Sequence, residues 1–574
     1  MNEMKNSEKG MGFIIGASSV GTLIEWYDFY IFGMLATILS KQFFPEDSGT
    51  SALLSTLAIF AAGFIVRPFG ALVFGRLGDM IGRKHTFLLT LVLMGGSTFA
   101  IGLVPGFKTI GWGAPILVLL LRLLQGLALG GEYGGAATYV AEHAPAHRRG
   151  YWTSWIQTTA TLGLFLALGV IILIRNLQGV EKFSAEWGGW RYPFWISSLL
   201  VVVSIVIRMR MSESPMFAKV KAEGNTSKNP LKESFGQRAN FKMVLLSLFG
   251  AVMGQGVIWY TGQFYAQSFI ENVCKIDFVE SRNIMLVAIL FASPFFVVFG
   301  ALSDRVGRKW IMLAGMLLGI ICYRPIYQQF INLSNPKLKV SQLDHSNSKP
   351  LQTVAVLDNK DKKKIFIVNK SDSAYTDGAV YKYTKTDTLY LTDQIIAGSA
   401  TRLAYTLPKK DNQAGFDTII VKLKSNTEGS KLTENAANNN DVAFAGVVNK
   451  SVKPSLLVEK TLGKNTFWIF VLLVFVQIIF VTMVYGPMAA FLVELFPTKI
   501  RYTSMSLPYH IGNGVFGGLV PFLGTLIVEF TKTDKNPGGD PLAGLWYPIG
   551  IAALSLLIGT IYLTNNKTDK NVMD

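Results

Sequence analysis

The 574 residues are 50% hydrophobic and only 16% charged, well below the quarter usual in soluble domains, which excludes a string of water-soluble modules. Two cysteines, Cys274 and Cys322, exclude a disulfide scaffold. The net charge of +17 comes from Lys and Arg flanking apolar runs, the pattern of a polytopic membrane protein rather than of a nucleic-acid surface.

A bilayer-crossing helix needs about 20 apolar residues. The sequence predicts twelve spans: 13–39, 52–77, 86–104, 115–141, 152–174, 192–211, 243–270, 283–303, 310–332, 466–489, 503–530 and 544–564. The first is too long for a signal peptide and carries Glu25 and Asp28 at its centre. With the N-terminus inside, the cytoplasmic segments hold 22 Lys and Arg, against nine in the short outer loops. Both termini are therefore expected in the cytoplasm, with the chain multi-pass in the plasma (inner) membrane.

The chain repeats itself. Gly75, Asp79, Gly82, Arg83 and Lys84 follow the second span. Gly300, Asp304, Gly307, Arg308 and Lys309 follow the eighth, each 225 residues later. Glu142 and Arg149 recur as Glu494 and Arg501, at an offset of 352. Six spans separate the copies, so the halves share one orientation, a parallel repeat. The offsets differ by 127 residues, which sizes an insertion between spans nine and ten. There the apolar runs shrink to strand length, as in Ile365–Val368, Val380–Tyr383, Leu389–Leu391 and Thr418–Ile420 with Val421. Asp377-Gly378 is a turn signal and 434–441 reads as loop. The expected fold is an all-α polytopic membrane protein of two six-helix repeats with an inserted small β-rich extracytoplasmic domain. Its parts are 1–211 (first half), 212–242 (cytoplasmic central loop), 243–332 (helices seven to nine), 333–465 (insert) and 466–574 (helices ten to twelve and a short tail).

The Gly-x-x-x-Asp-x-x-Gly-Arg-Lys repeat resembles the signature loop of the major facilitator superfamily. A carboxylate at a helix end faces basic residues across a tight turn, so the cluster can latch the cytoplasmic side and release as the helices rock. Within that superfamily the chain resembles the metabolite:proton symporters, which include proline/betaine, α-ketoglutarate, citrate and shikimate transporters. The residues are Glu25-Trp26-Tyr27-Asp28-Phe29, Arg67-Pro68-Phe69-Gly70 and Gly130-Gly131-Glu132-Tyr133-Gly134-Gly135. The resemblance covers everything except 331–465. Arg122 with Gln125 and Gly126 resembles the superfamily's Arg-x-x-Gln-Gly motif, whose Arg is associated with proton movement in coupled relatives. Span five lacks the Gly-Pro motif of drug antiporters, which by analogy favours symport.

Charges at mid-bilayer are costly and tend to be functional. Six are expected deep in spans: Glu25, Asp28, Glu132, Arg67, Arg122 and Arg324. Glu25 and Asp28 lie about 60° apart on one helix face. Two carboxylates so close disfavour joint ionisation, so one is expected to hold a proton. The alternative is a structural charge pair with Arg67. Arg122, Gln125, Glu132 and Tyr133 form a polar stripe about 15 Å long, beside Gly126, Gly130 and Gly134, which permit close helix approach. The second half offers Gln255, Trp259, Tyr260, Gln263, Gln477, His510 and Asn513. Tyr260 and Gln263 share a face fit for substrate hydrogen bonds, although single aromatics in membrane helices more often pack.

The expected function is inward symport of a small organic acid or zwitterion with protons, by alternating access between the halves. No phosphate-binding loop, metal cluster or catalytic triad is visible, so the chain is not expected to be an enzyme or to carry a cofactor. The proton gradient is its expected energy source. The expected partners are substrate, proton and lipid bilayer, with no nucleic acid and room for an unknown partner at the insert. The alternatives are an antiporter or facilitator of the same fold, or a non-transporting sensor using the outer domain.

Overall fold

The computed structural model describes residues 22–24, 26–45, 49–81, 83–130, 140–141, 143–209, 230–357, 364–390, 402–408, 416–422, 431–432, 455–496 and 501–564. Its longer helices in chain order are α1 (22–43), α2 (49–81), α3 (Arg83–Ile101), α4 (Gly113–Leu129), α5 (Arg149–Ser184) and α6 (Tyr192–Met209). They continue with α7 (Arg238–Asn272), α8 (Phe278–Val306), α9 (Arg308–Ser334), α10 (Lys464–Leu495), α11 (501–530) and α12 (Ala543–Tyr562). Among the described residues nine are long and apolar enough to cross a membrane, or ten if the bent α1 counts as one span. Shorter apolar stretches are Leu89–Ile101 in α3 and Gly113–Leu129 in α4.

Among the described residues α1, α7 and α11 depart from regular helical geometry near the site. α1 bends by 60° between Thr22–Met34 and Ala36–Phe43. At the bend Leu35 has φ −100° and ψ 6°. The amide of Ile38 turns back to the Leu35 carbonyl at 2.8 Å instead of reaching Met34. α7 contains π turns at Leu248–Val252 and Thr261–Tyr265, and α11 one at His510–Gly517. Each inserts an extra residue and rotates the remainder of its helix, a device frequent at functional sites.

The helices pack in one compact unit comprising Met1–Val273, Ser281–Phe330 and Ile469–Asp574. Close backbone approaches set its geometry. A Cβ on Gly126 of α4 meets the Gly63 carbonyl of α2 at 1.9 Å, so glycine alone allows these helices to touch. The contact fixes Arg67 and Arg122 on neighbouring helices.

The other unit comprises Cys274–Glu280 and Ile331–Trp468. Its strands are β1 (Leu343–Leu357), β2 (Lys364–Tyr375), β3 (Val380–Tyr390), β4 (Arg402–Pro408), β5 (Phe416–Lys422), β6 (Lys431–Leu432) and β7 (Ser455–Thr461). Five form an antiparallel sheet in the order β6-β1-β2-β3-β7, and β4 pairs with β5. Asp377 and Gly378, the latter at φ +84°, turn β2 into β3. Tyr375, Ala379 and Tyr381 make a small core with Leu343 and Tyr383. Cys274–Glu280, within the stretch 243–332 assigned from the sequence to helices seven to nine, belongs to this unit through backbone bonds. The Asp277 amide donates to the Lys460 carbonyl at 2.9 Å, and the Lys460 amide to the Lys275 carbonyl at 2.8 Å. Burial pushes the Cys274 thiol up to about 12, so it is a packed, unreactive group. The stretch 434–441 lies outside the described residues.

Candidate substrate site

A chamber of aromatic and polar side chains lies where α1, α2, α4, α7, α10 and α11 meet. Arg67 of α2 is 3% exposed, and its guanidinium sits over Phe29 at 4.4 Å and Phe64 at 4.2 Å. Arg122 of α4 is 1% exposed and sits over Phe29, Phe32 and Phe60. Ring faces favour a cation but do not accept its N–H groups as a carboxylate does. Nε and Nη2 of both arginines have no hydrogen-bond partner among the described residues. Arg67 also lies within electrostatic range of the phenol groups of Tyr30, Tyr260, Tyr485 and Tyr509.

A hydrogen-bond chain holds Arg122 in place. One of its Nη groups donates to the Gln125 side-chain carbonyl. Gln125 Nε2 then donates to Thr98 Oγ1 at 2.8 Å and to the Asp28 backbone carbonyl at 3.2 Å. Asp28 itself is fully buried. This chain ties α1, α3 and α4 together.

The opposite wall comes from α7, α10 and α11. Trp259 packs on Trp26 at 5.6 Å and on Tyr30 at 5.7 Å, and Tyr260 meets Phe64 edge-on at 5.1 Å. Gln255 and Gln263 are fully buried, and neither amide has a partner among the described residues. Asn513 donates to the Tyr509 hydroxyl at 3.0 Å, and that hydroxyl lies 2.8 Å from that of Tyr485. Buried polar groups normally find partners. The Gln255 and Gln263 amides and the Arg67 and Arg122 guanidinium groups thus all keep unused hydrogen-bonding capacity among the described residues.

A second cluster lies at the turn between α8 and α9. Gly307 makes that turn at φ +104°. Asp304 pairs with Arg308 at 2.6 Å, and Arg308 in turn binds Glu494 of α10 with two N–H groups at 2.9 and 3.3 Å. Lys309 caps the end of α12 through the Thr560 and Leu563 carbonyls. Asp304 also crosses to the other six helices. Its two oxygens accept the amides of Gly150 and Tyr151, each at 2.9 Å. These are free N–H groups of the first turn of α5, where a carboxylate is favoured by both hydrogen bonding and the helix dipole. Gly150 and Gly300 let the backbones touch, since a Cβ on either meets the other's carbonyl at 2.4–2.6 Å.

The family described as "Sugar (and other) transporter" matches residues 14–232. The alpha-ketoglutarate permease of Escherichia coli is 36% identical over 323 residues, which cover 56% of this chain and 72% of that protein. The chain belongs to the major facilitator superfamily of membrane transporters. The proline/betaine transporter of Salmonella typhimurium is 36% identical over 313 residues, covering 53% of this chain and 61% of that protein. Among solved structures, the partially occluded inward-open xylose transporter XylE from E. coli superposes with a TM-score of 0.57 at 15% identity, covering 97% of this chain and 99% of that one. That likeness shows the major facilitator fold.

Of the residues singled out in the sequence, Asp28, Arg67, Arg122, Gln125, Tyr260 and Gln263 are all buried in this facilitator core. Glu25, Glu132, Tyr133, Gly134, Gly82 and Glu142 lie outside the described residues. Gly75, Asp79, Arg83 and Lys84 lie on the backbone of α2 and α3. Arg149 and Arg501 are buried, and Arg501 donates to the Phe496 carbonyl at 3.1 Å. Arg324 covers Trp546 at 4.6 Å. Sequence reasoning missed Thr98, Tyr485 and Tyr509, whose only signal is a hydroxyl within an apolar run.

Asp304→Ala is expected to remove the α5 cap while leaving the Arg308–Glu494 pair. The closed contact should lose roughly 1–3 kcal/mol, about 5- to 150-fold in the ratio of closed to open forms. A cysteine placed at buried Ser154, beside Gly300, should then react faster with a thiol reagent. An unchanged rate contradicts the latch.

Proposed function

We propose that the chain is a proton-coupled symporter that takes up a small organic acid or a carboxylate-bearing zwitterion. The observation that carries this reading is the pair of buried guanidinium groups, Arg67 and Arg122, stacked on rings with N–H groups left to bind. A fork of N–H donors matches a carboxylate. The wall of Gln255, Gln263, Tyr485 and Tyr509 supplies the remaining hydrogen bonds. Two relatives are named for proline/betaine and for alpha-ketoglutarate, and each of these molecules bears a carboxylate. In the order of these names, the matched segments span 61% and 72% of the relatives' lengths.

In this reading twelve spans form two parallel six-helix repeats with both termini in the cytoplasm, and 333–465 is an inserted β-rich extracytoplasmic domain with room for an unknown partner. The halves rock about the chamber. The Asp304 contact with α5 closes the cytoplasmic side, and the proton gradient is the sole energy source. Asp28 carries the proton, aided by Glu25 or Glu132. Protonation shifts the balance of open and closed states because a buried carboxylate costs more charged than neutral.

Uptake of labelled α-ketoglutarate, citrate, shikimate, proline and betaine into proteoliposomes, with and without a protonophore, tests the assignment. Accumulation of at least one that the protonophore abolishes supports it. No accumulation of any argues for the sensor alternative. Orientation is read separately: a cysteine at Ser371 should label from outside in intact cells, and one at Asn225 only after permeabilisation. The reverse pattern inverts the topology.

A further inference from the structure

A small cavity of about 20 Å³ lies beside the bend of α1. Its walls include Met34 and Thr37 of α1, Phe60 of α2, and Phe264, Gln267 and Glu271 of α7. Phe60 and Phe264 face each other with ring centroids 5.3 Å apart. These two rings also belong to the chamber, since Phe60 lies under Arg122 and Phe264 stacks on Tyr260 at 5.5 Å. The pair therefore stands between pocket and chamber. On the pocket side Gln267 is 4% exposed, and its side-chain carbonyl has no partner among the described residues. Gln263 is in the same condition on the chamber side. Unsatisfied amides on one helix mark a polar track from pocket to chamber.

Arg282 of α8 closes this end. It is fully buried. One Nη donates to Glu271 of α7 at 3.0 Å, and the other donates to the Met34 carbonyl of α1. That carbonyl is available because the Ile38 amide, its partner in a continuous helix, bonds to Leu35 instead. One side chain thus satisfies the carbonyl that the bend exposes and ties the bend to α7 and α8. Arg282 and Asp304 lie 22 residues apart on α8, roughly 33 Å at 1.5 Å per residue. Each joins the second six helices to the first, Arg282 through α1 and Asp304 through α5.

We propose that the pocket is the vestibule of the substrate route and that Arg282 is its gate, holding α1 bent until the route opens. The proposal rests on the transport function proposed for the chamber. When Arg282 lets go, the Met34 carbonyl loses its cap, and regaining the Ile38 amide straightens α1 away from α7. The pocket then opens to water, and Phe60 and Phe264 part toward the chamber. The Asp304 contact at the far end stays closed in that state.

The test uses the full chain with Cys274→Ser and Cys322→Ser and one cysteine at Thr37, reconstituted and treated with a membrane-impermeant maleimide. Arg282→Gln should raise the labelling rate at least about tenfold over the same chain with Arg282 intact. Glu271→Gln, which keeps the Met34 bond and loses the ion pair, should raise it by less, and it decides the matter if Arg282→Gln does not accumulate. A rate unchanged in folded variants overturns the gate. Uptake measured on the same vesicles reads the transport assignment separately. Active uptake with unchanged labelling removes the gate alone, and absent uptake in the unmutated protein removes the transport reading alone.

Discussion

Replacing Asp28 by Asn is expected to abolish accumulation while leaving exchange. The change keeps the side chain's shape and removes its titration. A proton falling through 100 mV releases about 2.3 kcal/mol, enough to hold a substrate gradient of roughly 50-fold. Without a titrating group at the coupling position that gradient should fall to about one. Exchange of labelled for unlabelled substrate needs no net proton movement, so it should persist. If Asp28 were only a structural charge, its loss should lower folded yield instead. Yield, accumulation and exchange measured on one preparation separate these outcomes. Normal yield with full accumulation contradicts the assignment and leaves Glu25 and Glu132 as the remaining deep acids.

Replacing Arg67 by Gln should weaken substrate binding by about 2–4 kcal/mol, or roughly 30- to 1,000-fold in Kd. Folded yield measured alongside separates this loss from a structural role, since the guanidinium also stacks on Phe29 and Phe64. Arg67→Lys should recover only part of the affinity, since an ammonium keeps the charge but lacks the planar fork. Equilibrium binding in detergent checks both variants. Unchanged affinity in Arg67→Gln contradicts a carboxylate site at this position.

The fold class was legible because lipid permits few solutions. Apolar runs of about 20 residues have to be helices, and the described residues of those runs are helical. The deep charges Asp28, Arg67 and Arg122 were legible for the same reason, since only function or pairing tolerates them. What the sequence hid is mostly backbone. The bend at Leu35 has no proline, and Gly33 two residues earlier is one of many glycines in the spans. The π turns of α7 and α11 shift side chains off the 100° wheel on which Tyr260 and Gln263 were placed. Asp304 was expected to face basic residues, and it does reach Arg308, but its cross-helix partners are the amides of Gly150 and Tyr151, which any residue carries. Arg282 counted in the sequence only as one outer-loop cation. Its role depends on a carbonyl freed 248 residues away.

The central claim is coupling of one carboxylate substrate to inward protons. It is tested most directly by proteoliposomes loaded with a pH-sensitive dye. Adding the transported substrate outside, with no imposed gradient, should acidify the lumen as substrate enters, and Asp28→Asn should remove that acidification. Alkalinisation on substrate addition, or substrate influx with no change in lumenal pH, contradicts symport and supports the antiporter or the facilitator respectively.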